Sequence, residues 1–193
     1  MPTTPLPTFP QFGRYVCLDG SARVSVEHDG FTITARVLHD DDASPPWERE
    51  DGHGPVSDWT TCDKKPGERV ISTDRYHKRF YDFAEAVKIA KRDGWGVPDV
   101  DTTGMSKAQI AQLAAEHDLR LLQAWCDDEW HYCGVVLSVS RAGVTLDDHA
   151  ASLWSIETNY PGSDNSYLSE VADELLPEAL DVARAVLAKI KAA

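Results

Sequence analysis

The stretch ARVSVEHDGFTITARV, residues 22–37, constrains the fold more than any other part of the chain. Val24 and Val26 alternate with Arg23, Ser25 and Glu27. After Asp29-Gly30 the alternation resumes through Phe31, Ile33, Ala35 and Val37. A period of two puts the apolar side chains on one face of each strand, and Asp-Gly tolerates the positive φ angles of a tight primed turn. This predicts a β-hairpin. A second hairpin is expected further on, where Cys133, Val135, Leu137 and Val139 alternate. Its turn falls at Ala142-Gly143, and Leu153, Trp154 and Ile156 lie on the returning strand.

Helical spacing lies between the hairpins and after them. One expected helix has Phe80, Phe83, Ala84, Val87 and Ala90 on its apolar face and Lys78, Arg79, Glu85, Lys88 and Arg92 opposite, ending at Gly94. The next opens on a capping box, Ser106 with Gln109, and a hydrophobic staple, Met105 with Ile110. Its expected apolar face is Ile110, Leu113, Ala114, His117, Leu121 and Trp125. A last helix is expected from about Tyr167 to Lys191, kinked or split at Pro177. The expected fold class is α+β: an antiparallel sheet built from two hairpins, with three helices packed on one face, in the order ββ-αα-ββ-α. The reading is of one domain over 1–193, with 1–15 an extended Pro-rich arm and 39–73 a long irregular loop.

No apolar run is long enough for a membrane span, so no membrane partner is expected. The four cysteines are scattered and are expected to be free thiols in a reducing cytosol. Cys126, His131 and Cys133 are close in sequence but lack paired ligand spacing, so neither a metal nor any other cofactor is expected. Walker, dinucleotide, nucleophile-elbow, zincin and deaminase motifs are all missing. Asp40-Asp41-Asp42 runs into Pro45-Pro46 and does not complete a calcium loop.

Charge is the strongest compositional signal. The chain carries 32 acids against 19 bases, a net −13. From Ala142 to Ala183 there is no Lys or Arg, while nine bases outnumber four acids between Lys64 and Arg92. Such a chain repels phosphate backbones, so direct nucleic-acid binding is not expected. The acid-only stretch reads either as a solubilising surface or as a phosphate-mimicking face. In the second case the contributors are Glu157, Asp164, Glu170, Asp173, Glu174 and Glu178.

The other candidate lies in SPPWEREDGHGPVSDW, residues 44–59. His53 sits between two glycines with Asp51 beside it, an arrangement that suits a general base or a metal ligand. It also suits a tight turn whose imidazole bonds a backbone carbonyl. His131, between Trp130 and Tyr132 and after three acids, reads either as a second member of such a site or as the start of a strand. His117 reads as a buried helix residue.

Six stretches carry a resemblance: HDDDASPPWEREDGHGPVSDW (39–59), KKPGERV (64–70), FYDFAEAVKIAKRDGWG (80–96), DDEWHYCGVVL (127–137), and SLWSIE with YLSEVADEL further on. In these the chain resembles a family of small uncharacterised proteins encoded by tailed bacteriophages and prophages. The resemblance implies a phage genome and the host bacterial cytosol, and brings no catalytic residues with it. The leading expectation is an acidic, non-enzymatic protein that inhibits a host or defence protein with a basic surface, of anti-CRISPR or anti-restriction type. The alternative is a small hydrolase or metal-dependent enzyme using Asp51, His53 and His131. The sequence leaves the oligomeric state open.

Overall fold

The structure, a computed structural model, describes residues 5–49 and 52–192. Its elements in chain order are β1 (Asp19–His28), β2 (Phe31–His39), β3 (Glu68–Asp74), β4 (His77–Asp82), α1 (Phe83–Asp93), α2 (Lys107–Cys126), β5 (His131–Arg141), β6 (Val144–Thr158) and α3 (Tyr167–Ala192). The fold is α+β with antiparallel sheets and three helices. Two compact units are present: Met1–Ala43 with Trp130–Ala193, and Ser44–Glu129.

The first unit holds a four-stranded sheet in the order β1-β2-β5-β6. Both of its hairpin turns have positive φ at each central residue: 51° and 75° at Asp29-Gly30, 48° and 78° at Ala142-Gly143. That is the geometry whose twist matches the flanking strands. Ile33, Ala35 and Val37 on β2 and Val135, Leu137 and Val139 on β5 have no exposed surface. They pack with α3 residues Leu168, Ala172, Leu176, Ala179, Leu180 and Ala183 in one core. Each fully buried Leu, Ile or Val there contributes about 1.5–3 kcal/mol. Pro177 does not split the helix in two. The helix runs through it with the proline on the exposed side.

The amino-terminal arm is built into this core. Phe9, Phe12 and Val16 are buried. Phe9 N–H donates to Asp173 Oδ1 at 2.6 Å, Phe12 N–H to Ser169 Oγ at 3.2 Å, and Val16 N–H to Asn159 Oδ1 at 2.9 Å. Side chains thus satisfy backbone groups that no sheet partner reaches.

In the second unit the expected order needs correction. An extra hairpin, β3–β4, precedes α1, and α1 and α2 pack with it, while in the first unit α3 covers the four-stranded sheet. Lys78, Arg79 and Phe80, expected on a helix, belong to β4. The helix starts only after Asp82, whose side chain accepts the Glu85 N–H as N-cap. Pro55 to Thr60 runs along β4 as a further extended segment, bridging Val56 to Tyr81 and Thr60 to Lys78. The capping box of α2 is present as expected. Of the expected face, Ala114 and Leu121 are buried, Ile110, His117 and Trp125 are half-buried and Leu113 is exposed; Ala111, Ala115, Asp118, Leu119 and Leu122 are buried as well.

All four thiols are free. Burial pushes the Cys133 thiol up to about 12 and the Cys126 thiol up to about 11, from 9.0. Cys17 and Cys62 are exposed. A disulfide reagent at mildly alkaline pH should therefore titrate two thiols of the native protein quickly and the other two only on unfolding. The raised pair also fixes a pH dependence. Both stay protonated in the fold but ionise above about pH 9 once unfolded, so their contribution is complete below pH 9. It is lost as pH climbs toward 11–12.

Candidate functional site

The loop that carries His53 is fastened to α2. His53 Nδ1 lies 2.5 Å from Asp118 Oδ1, Gly54 N–H donates to Asp118 Oδ2 at 2.8 Å, and Tyr81 O–H donates to the same oxygen at 2.6 Å. Asp118 is only 6 % exposed. A carboxyl group this deep must be hydrogen-bonded, and three donors on two oxygens meet that demand. Burial, reinforced by the Asp118 charge beside it, raises the Tyr81 hydroxyl well above the ordinary tyrosine value. Tyr81 therefore remains the protonated donor.

The two glycines flanking His53 serve different ends. Gly52 adopts φ +76°, a conformation that favours glycine. At Gly54 a Cβ would come within 2.5 Å of Tyr81 Oη and 2.6 Å of the Ala86 methyl. Only a bare backbone brings the Gly54 N–H close enough to reach Asp118.

The tryptophans of the same loop make a second fastening. Arg79 of β4 lies between the rings of Trp47, at 4.7 Å, and Trp59, at 4.9 Å, and Trp47 meets Trp125 edge-on at 5.1 Å. Nearby, Arg69 holds Glu116 through two 2.8 Å bonds and stacks on Phe83. Those bonds keep the Glu116 carboxyl below the usual carboxylate range.

Of the three residues read as an acid–base site, Asp51 lies outside the described residues. His53 takes Asp118 as its carboxyl partner. His131 is on β5 in the other unit, edge-on to His39 at 5.3 Å. His39 in turn reaches Asp41 at 2.8 Å and lines an open cleft of about 450 Å³ with Asp40, Asp41, Asp42, Trp154 and Ser155. Among the described residues, no group of three or more His, Cys, Asp or Glu could hold a metal ion. No helix among the described residues is long and apolar enough to cross a membrane.

The acidic candidates separate by role. Asp173 accepts the Phe9 N–H and so holds the arm. Asp164 accepts the Ser166 N–H at 2.9 Å ahead of α3, and the bonds from Ser166 hold its carboxyl below the usual range. Glu157 is exposed near the end of β6. Glu170, Glu174 and Glu178 form an exposed row at four-residue spacing along α3. None of the three enters an ion pair among the described residues. The nearby Asp181 is neutralised by Arg184 at 3.2 Å.

Asp118 is the residue that sequence reasoning missed. Its signal was an acid set in the stripe Ala111, Ala115, Asp118, Leu122, where a burying helix face has no use for an unpartnered charge. Comparison with family models, with curated proteins and with solved structures returns no match.

Proposed function

We propose that the protein is a non-enzymatic binding protein, made in a phage-infected bacterial cell, that occupies a host or defence protein with a basic working surface. The nucleic-acid groove of a CRISPR effector or a restriction enzyme has that character. One observation carries the reading: the unpaired ridge of Glu170, Glu174 and Glu178. Like charges four residues apart on a helix destabilise it by about 0.2–0.5 kcal/mol per pair. Among the described residues no cation pairs with the three, whereas a partner lined with Lys and Arg would. Successive ridge carboxyls are about 6 Å apart along the helix axis. One duplex strand carries a phosphate about every 3.4 Å, so the ridge offers roughly one charge for every two phosphates.

The test is affinity capture from bacterial lysate at about 50 mM and again at about 200 mM salt, the range over which charge-driven contacts weaken steeply. A dominant nucleic-acid-handling protein, held at low salt and released at high salt, is the expected result. A partner retained equally at both would remove charge mimicry from the account.

A second reading, acid–base catalysis, has one observation in its favour. Nδ1 of His53 is held by Asp118, while Nε2 has no partner among the described residues. A general base is oriented in this way. His53→Gln can still donate to Asp118 but carries no basic nitrogen. Hydrolysis of model esters or phosphoesters by the wild type, lost in His53→Gln at unchanged melting temperature, would favour catalysis. Equal background rates would end that reading.

A further inference from the structure

The β3–β4 hairpin ends in Asp74-Arg75-Tyr76-His77, with Asp74 paired to His77. Its turn differs from the two in the four-stranded sheet, each of which contains a glycine. Here the first central residue is Arg75, at φ +50°. A residue other than glycine at positive φ carries backbone strain; Asp29 and Ala142 hold the same angle in the other two turns, but each is followed by a glycine, whereas Tyr76 follows Arg75.

The next residue, Tyr76, leaves 85 % of its surface in water, more than any other large apolar or aromatic side chain among the described residues. Hydrophobic burial gives it no reason to be at the tip. His77 and Lys78 beside it are exposed, as are Lys64 and Lys65 in the segment leading into β3. On the flank, Thr60 bridges to Lys78, which brings Trp59 alongside the ribbon; its ring is 42 % exposed and rests on Arg79.

Tyr76 at the tip is therefore flanked by the exposed cations Arg75 and Lys78, with Asp74 the acid of the same turn and Trp59 on the Arg79 face of the ribbon. Unpaired bases offer flat faces that stack on aromatic side chains, and the strand that carries them offers a phosphate for each cation. A duplex hides those faces. We propose that the tip of this hairpin, through Arg75, Tyr76 and Lys78 with Trp59 on its flank, binds single-stranded nucleic acid. The net charge of −13 opposes approach over long range. At 0.1 M salt, however, a charge is felt over only about 10 Å, so the local sign at the tip governs the contact. This site is independent of the acidic ridge on α3, and either can fail without the other.

The test uses the full chain and a fluorescent oligothymidylate of about 20 nucleotides, followed by anisotropy over a salt series. Binding should appear at low salt. The logarithm of affinity should fall linearly with that of salt, with a slope of about −2 to −3 for three or four neutralised phosphates at about −0.7 each. Tyr76→Ala should weaken binding by about tenfold, the loss of one stacked base. Arg75→Gly separates function from folding. It relieves the turn, so the melting temperature should hold or rise by about 2–4 °C, while affinity falls severalfold.

The proposal is overturned if the wild type shows no binding at the lowest salt, or if Arg75→Gly and Tyr76→Ala bind as the wild type does. It is equally overturned if a duplex of the same length competes as well as the single strand. Self-association abolished by Arg75→Gly would assign the tip to the acidic face of a second copy, and would also overturn it.

Discussion

Asp118→Ala is expected to destabilise the protein by about 3–5 kcal/mol, the range found when one partner of a buried polar cluster is removed. The loss comes from the groups left behind. Gly54 N–H and Tyr81 O–H are both buried and both lose their acceptor, and His53 Nδ1 loses its own. A buried donor without a partner costs about 1–3 kcal/mol, and water reaches the two on Oδ2 poorly. Against a typical domain stability of about 5–15 kcal/mol, this is a large fraction.

His53→Ala should cost less, because it leaves Asp118 with the Gly54 and Tyr81 donors. Denaturant unfolding ranks the two variants. Amide exchange at Gly54 reports the clasp locally and should accelerate in Asp118→Ala. If His53→Ala were the more damaging of the two, the loop would not be held chiefly through Asp118.

The same cluster shows what the sequence conceals. The two hairpins of the four-stranded sheet were legible because strand period and turn chemistry agreed at Asp29-Gly30 and Ala142-Gly143. The β3–β4 hairpin was not, because its turn residues are Arg75-Tyr76 and its strands are mostly polar. Phe80 and Phe83, three apart, also imitate a helix face, although Asp82 separates a strand residue from a helix residue. On α2 the large side chains misled in part, since Leu121 is buried as expected. Alanines form the tight inner face and Leu113 is left outside, since close helix packing selects small residues where backbones approach. His53 stood out from its two glycines, yet its partner is 65 residues away. Carboxyl groups lie on the surface by default, so no local pattern marks that pairing. The ridge on α3 was legible as composition. Which acids are free to meet a partner was not, because Asp173 is taken up by the backbone of an arm 164 residues earlier.

The second large effect concerns that ridge. Replacing Glu170, Glu174 and Glu178 together by glutamine removes two like-charge pairs from α3, a gain of about 0.4–1 kcal/mol, and also the favourable charge of Glu170 in the first turn, a loss of about 0.3–1 kcal/mol, so stability should stay near that of the wild type. Binding should fall. Charge complementarity acts on encounter as well as on the final contact, and steering changes association rates by about 10–1,000-fold. The triple variant is therefore expected to bind its basic partner about 10–100-fold more weakly, with the loss concentrated in the association rate. A variant as stable as the wild type and less able to bind excludes misfolding as the cause.

The most direct measurement is the affinity of the captured partner for wild type and triple variant across a salt series. The account predicts that log affinity falls linearly with log salt for the wild type, and that the triple variant starts weaker and has a shallower slope. Affinities flat in salt, or identical for the two proteins, would contradict it.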